Sequence, residues 1–142
     1  MKAYLSRRYH FSASHRLHAA ALSADENQAA FGKCNNPHGH GHNYTVQVTF
    51  SGQVDLATGM VANLADLDAF ANEHLLARFD LSNLNTLDLF AEVIPTTENF
   101  AVALHRIFEG FSGGRLESVH VEETGNNSFD YAGMTLPRTG RY

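Results

Sequence analysis

A two-layer α+β domain is predicted by three features of this 142-residue chain. Two long segments near the start alternate apolar and polar residues, two helical repeats occupy the middle, and two short alternating runs follow. Residues two apart share a face of a strand, whereas apolar residues three and four apart share a face of a helix. The predicted order is therefore strand, strand, helix, helix, strand, strand. Both helices need an apolar surface, and a four-stranded antiparallel sheet offers one, so they are expected to pack together on a single face. No repeat, low-complexity tract or linker divides the chain, and residues 1–142 read as one domain.

The first strand carries Ala3, Leu5, Tyr9, Phe11 and Ala13 in alternation with Lys2, Tyr4, Arg8, His10, Ser12 and Ser14, and ends at His15. Arg7 interrupts its apolar face. A long connection, Arg16 to Gly39, follows, and a connection of that length is expected to hold structure of its own. Within it Ser23 and Glu26 form a capping-box pattern and Gly32 is placed to stop a short helix. The second strand begins near His40, with Tyr44, Val46, Val48 and Phe50 alternating with Thr45, Gln47, Thr49 and Ser51. The chain should turn between Gly52 and Gly59. Asn63 can then cap a helix whose apolar stripe is Leu64, Leu67, Phe70, Ala71, Leu75 and Phe79.

Pro95-Thr96-Thr97-Glu98 opens the second helix, with Phe100, Leu104, Ile107, Phe108 and Phe111 as its stripe and Gly113-Gly114 as its stop. The third strand is predicted over Leu116 to Glu123. A turn at Thr124-Gly-Asn-Asn127 leads to the fourth, near Ser128 to Thr135. Such a sheet has open edges, which invite pairing with neighbouring subunits.

Composition narrows the function classes. A net charge of −5 with no basic run argues against nucleic acid or an anionic membrane as partner. No segment approaches a membrane-spanning length. A lone cysteine excludes an internal disulfide, and a cytoplasmic protein is the simplest expectation.

Three histidines carry most of the chemical information. His40 and His42 are in phase with the apolar side of the second strand. If the first two strands pair antiparallel, the end of one lies beside the start of the other, and His15 meets them on one face. Three neutral imidazoles with a fourth position open make a catalytic zinc arrangement, whereas structural sites are closed by four protein ligands. Cys34 could close such a site, or act as a base or nucleophile, or be an inert thiol; neighbouring Lys33 and a metal would favour its thiolate. His38 shares the parity of His40, so a site built on that pair is also conceivable. Glu123 shares parity with Val119 and Val121, which sends its carboxylate toward the helix-covered side. A carboxylate there needs a partner: a salt bridge at the rim, or the guanidine-like edge of a guanine or pterin ring. Glu98 is a weaker candidate whose ordinary role is at a helix start, and Asp80 is ordinarily a turn residue.

Taken together these residues resemble the 6-pyruvoyltetrahydropterin synthase family, which also holds the 6-carboxytetrahydropterin synthases of deazaguanine and queuosine biosynthesis. The markers are Phe11-Ser-Ala-Ser-His15-Arg-Leu, Phe31-Gly-Lys-Cys34-Asn-Asn-Pro, His40-Gly-His42-Asn-Tyr, Gly59-Met-Val-Ala-Asn63-Leu-Ala-Asp66-Leu, Thr96-Thr97-Glu98-Asn99 and Glu123-Thr124. They span about Tyr9 to Gly133. The resemblance implies a tunnelling fold whose sheets close into an oligomeric barrel, a homo-hexamer built as a dimer of trimers, with active sites between subunits. It implies zinc on His15, His40 and His42, Cys34 as the base, and Asp80 as a further catalytic residue. Glu123 would anchor a pterin, with Thr96, Thr97 and Glu98 nearby. The substrate implied is 7,8-dihydroneopterin triphosphate, converted to 6-pyruvoyltetrahydropterin with loss of triphosphate. The five residues between Cys34 and His40 match the pyruvoyl-forming branch; the carboxy-forming branch usually has three, a spacing that His38 satisfies.

The chain departs from the family at one point. The family pattern has Asp-His after the first helix, the histidine relaying protons to and from the cysteine, whereas this chain has Asp80-Leu81. Loss of a positioned acid or base typically costs about 10²–10⁴ in rate. Three readings follow: the pyruvoyl-forming lyase, 6-carboxytetrahydropterin-type side-chain cleavage, and a zinc- and pterin-binding paralogue with weak activity.

Overall fold

In a computed structural model that describes residues 1–134, the chain forms one mostly antiparallel sheet with helices packed over one face. Strand β1 (Lys2–His15) and β2 (His40–Gln53) pair along their whole lengths, Lys2 opposite Gln53 and His15 opposite His40. The connection between them holds α1 (Ala24–Phe31), with the capping box of Ser23 and Glu26 in place and Gly32 ending it at φ 54°. Helix α2 (Leu64–Ala71), capped by Asn63, runs through a π turn (Asn72–Leu76) into the short α3 (Ala77–Phe79). After β3 (Ser82–Asn83) comes α4 (Thr97–Phe108), then β4 (Arg115–Glu122) and β5 (Ser128–Tyr131).

The sheet order is β3-β1-β2-β4-β5. Five strands therefore replace the four expected. The extra one, β3, pairs parallel with Ala13 and Ser14 over two residues, too short to leave any alternation in the sequence. The last strand ends at Tyr131, and Thr135, where it was expected to end, lies outside the described residues. Helix α4 stops at Phe108 rather than at the glycine pair, although Phe111 is still buried.

The π turn has a reason in the sequence. Leu67, Ala71, Leu75 and Phe79 are fully buried and spaced by four. In a regular helix of 3.6 residues per turn that spacing drifts by about 40° per step. A wider turn takes up the drift and keeps the four on one line. They meet Phe11, Tyr44 and Phe100, whose rings stack or meet edge-on at centroid separations of 5.4 to 6.0 Å.

Arg7, the break in the apolar face, is explained by α2. Its guanidinium makes a two-point pair with Asp68 (3.0 and 2.7 Å), and the Tyr9 hydroxyl donates to the same carboxylate at 2.9 Å. Hydrogen bonds from Arg7 and Tyr9 hold the Asp68 carboxyl below its usual range. A depressed carboxyl stabilises the fold above the unfolded value, about 3.9, and that contribution is lost as pH falls through the lower folded value. Asp68→Asn should therefore flatten the acid limb of stability measured by urea unfolding over roughly pH 2 to 5. The change should be modest, because the pair is part-exposed. An unchanged acid limb would show that the pair adds nothing.

The opposite sheet face is polar and ladder-bonded: Ser6 with Thr49, Arg8 with Gln47, His10 with Thr45 and Ser12 with Asn43. No helix among the described residues is long and apolar enough to cross a membrane.

Candidate metal centre and adjoining cavity

The pairing register of β1 and β2 builds the centre. His15 lies opposite His40, and His42, two residues on, projects from the same face. Gly39 makes the entry into β2 possible. It holds φ at +72°, and a Cβ there would come within 3.0 Å of the His15 carbonyl oxygen. The three rings are mutually near-perpendicular, with centroids 4.7 to 5.0 Å apart. The Nε2 of His15 lies 3.1 Å from the Nε2 of His40 and 3.1 Å from that of His42.

The donor set fits a cation. The Pro95 carbonyl lies 2.8 Å from His15 Nδ1 and can only accept, so that nitrogen carries the proton and Nε2 presents a lone pair to the centre. Burial lowers the pKa of both His15 and His42, which keeps them neutral, as metal ligands must be. Among the described residues, His15, His40 and His42 form the group able to hold a metal ion, their ligand atoms all within 4.8 Å of one another. Cys34 is outside that group, as is Glu123. His38 is outside it too: it is exposed and lines a cavity with Ser14, His15 and Arg16.

Glu123 comes from the end of β4. Glu122 pairs with Thr45, so the next residue reaches the histidine end of β2 on the buried face. Its carboxylate lies 3.4 Å from His15 Nε2 and 3.3 Å from His42 Nε2. This meets the parity expectation, but the partner is the histidine cluster rather than an arginine or lysine at the rim.

Cys34 sits in a 3₁₀ turn, Gly32–Asn35, fastened to the segment after β1. The Leu17 amide donates to the Cys34 carbonyl and the Asn35 side chain to the Leu17 carbonyl, each at 2.8 Å. Burial pushes the thiol pKa up and the Glu123 carboxylate adds to the rise. Lys33, expected to favour the thiolate, is exposed, and the thiol is shifted the other way. A bound cation would act in the opposite sense.

A cavity of about 320 Å³ brings Cys34 and Glu123 together with Thr96, Thr97 and Glu98 at the start of α4. Thr96 caps that helix by accepting from the Asn99 amide. Leu17, Phe31 and Phe129 give the cavity apolar walls, and Asn127 contributes an amide. A single apolar residue in a connection, such as Leu17, carries no periodic signal, and the four-residue β5 is too short to mark Phe129 as a cavity wall. The Pro95 carbonyl was equally invisible, because a backbone acceptor leaves no residue signature.

Asp80 is not brought to this cavity. It caps the end of α3 against β1, where its carboxylate accepts from the Ser12 amide at 3.1 Å. Leu81 follows with φ 57°, its side chain 87% exposed and its amide donating to the Ser12 carbonyl.

A family profile described as 6-pyruvoyl tetrahydropterin synthase matches residues 4–134. The chain is 49% identical over 134 residues to the 6-pyruvoyl tetrahydrobiopterin synthase of Homo sapiens, covering 93% of this chain and 92% of that one. It is 43% identical over 143 residues to the protein of the same description from Drosophila melanogaster, covering 99% and 84%. The solved structure of Caenorhabditis elegans 6-pyruvoyl tetrahydropterin synthase superposes with a TM-score of 0.89 at 38% identity, covering 94% of this chain and 97% of that one.

Proposed function

The chain belongs to the 6-pyruvoyl tetrahydropterin synthase family, and on that premise we propose that it is a zinc-dependent lyase. In this reading it converts 7,8-dihydroneopterin triphosphate to 6-pyruvoyltetrahydropterin and releases triphosphate. The observation that carries the reading is the convergence of three imidazole Nε2 atoms beside a cavity that holds a thiol and a carboxylate. His15, His40 and His42 would hold the zinc, which when bound supplies Lewis acidity to the hydroxyls of the substrate's side chain.

The chain's own residues do the rest. Glu123, with two oxygens, pairs with two donors on the pterin's guanidine-like edge and fixes the ring in the cavity. Thr96, Thr97 and Glu98 line the wall beside it. Cys34, as thiolate, takes a proton from a side-chain carbon. Electrons lost by the side chain reduce the ring, so no external reductant is needed. The five-residue spacing from Cys34 to His40, with His42 rather than His38 in the cluster, supports the pyruvoyl-forming reading over side-chain cleavage.

Asp80 does not line the cavity of its own chain, so it takes part in this scheme only where a neighbouring copy brings it there. Two features support assembly into the hexameric barrel: the edges at β3 and β5, open among the described residues, and the polar face opposite the helices. The single cysteine accords with a cytoplasmic setting.

Incubating the zinc-loaded protein with 7,8-dihydroneopterin triphosphate tests the reading. Triphosphate with a diketo tetrahydropterin is the expected outcome. Acetaldehyde with a carboxypterin would replace it by the cleavage reading, and binding without turnover by the weak paralogue.

Leu81 is the observation behind that last alternative. A left-handed backbone at a non-glycine residue is uncommon, and histidine is among the residues that tolerate it better. Leu81→His should therefore fold and should raise turnover by about 10²-fold or more if a missing relay limits the rate. An unchanged rate would mean that another group already moves the proton.

A further inference from the structure

The contacts of Glu123 are electrostatically incomplete as they stand. His15 presents an unprotonated Nε2, because its Nδ1 proton is given to Pro95. A carboxylate oxygen 3.4 Å from that lone pair faces an acceptor with an acceptor. A proton on His42 Nε2 would satisfy the 3.3 Å contact to His42 but would leave the contact to His15 repulsive. One cation satisfies both, along with the Nε2 of His40. In tetrahedral zinc sites with bonds of about 2.0–2.1 Å, ligand atoms are about 3.3 Å from one another. The Glu123 oxygen is at that spacing from two of the three nitrogens, and the nitrogens are 3.1 Å from each other across both His15 pairs. The Glu123 oxygen meets the Nε2 atoms of His15 and His42 but, like the Cys34 sulfur, stands outside the three-histidine group whose ligand atoms lie within 4.8 Å of one another.

We propose that Glu123 is the fourth metal ligand in the substrate-free protein and leaves the metal for the ring of the arriving pterin. This rests on the metal- and pterin-binding reading above and extends it. The carboxylate that recognises the guanidine-like edge is the group that occupies the position needed by the side-chain hydroxyls. Ring recognition and opening of the metal then become one event. A hydroxylated molecule without that edge has no means of drawing Glu123 away, so the metal is closed to it.

Cobalt(II) in place of zinc gives a visible spectrum that reports the ligands directly. The wild-type protein and Glu123→Gln are each loaded with cobalt(II), and pterin without a side chain is added. The expected result has three parts. Glu123→Gln binds cobalt(II) about tenfold or more weakly, since even outer partners of ligands are worth that much. Its spectrum without ligand differs from that of the wild type. Pterin shifts the wild-type spectrum and leaves that of Glu123→Gln unchanged. Superimposable spectra of the two ligand-free proteins, or a wild-type spectrum unmoved by bound pterin, would overturn the proposal while leaving metal binding intact. Failure of the wild-type protein to bind cobalt(II) at all would instead remove the reading on which it rests.

Discussion

Cys34→Ala should lower turnover of 7,8-dihydroneopterin triphosphate by about 10²–10⁴-fold, the usual range for losing a positioned base. Zinc stoichiometry and pterin affinity should stay unchanged, because Cys34 belongs to neither the histidine group nor the start of α4. The turn that carries the half-buried thiol is held by the Leu17 amide on the Cys34 carbonyl and by the Asn35 side chain on the Leu17 carbonyl, so removing the sulfur leaves it in place. Steady-state kinetics beside metal analysis separate the roles. A rate within threefold of wild type would take the base away from Cys34, and a loss of zinc would make it a ligand after all.

His40→Ala should remove stoichiometric zinc binding and reduce activity to background. His40 is the informative choice among the three. His15 is buried and anchors the Pro95 carbonyl, so its loss would also disturb the fold. His40 is only half-buried at the start of β2, and the backbone pairing of that end does not depend on its side chain. The metal-free form should therefore melt at nearly the wild-type temperature. What the variant should lose is the zinc-induced gain, about 2.7 kcal/mol for a ligand at a hundred times its dissociation constant. Calorimetry with and without zinc checks both statements. A variant that still gains stability from one zinc would place the metal elsewhere.

The first two strands and the histidine triad were legible because a strand's side chains alternate strictly. Parity alone put His15, His40 and His42 on one face, and antiparallel pairing put His15 opposite His40. Glu123 was legible to the same degree: parity gave its direction but not its neighbour. That required knowing that β4 lies next to β2 with Glu122 level with Thr45, a non-local fact. The two-residue β3 and the π turn left no pattern that periodicity could register, the first for its length and the second because a four-residue repeat still reads as helix. The surroundings of Asp80 were hidden for a related reason. Sequence places it after a helix, and only the fold shows its carboxylate accepting from the Ser12 amide, outside the cavity that Cys34 lines in the same chain.

Metal-edge X-ray absorption on the zinc-loaded, substrate-free protein bears on the proposed centre with the fewest assumptions. The first shell should contain three imidazole nitrogens and oxygen at about 2.0–2.2 Å, with no sulfur. A sulfur neighbour at about 2.3 Å would make Cys34 a ligand, and fewer than three imidazoles would dissolve the site itself.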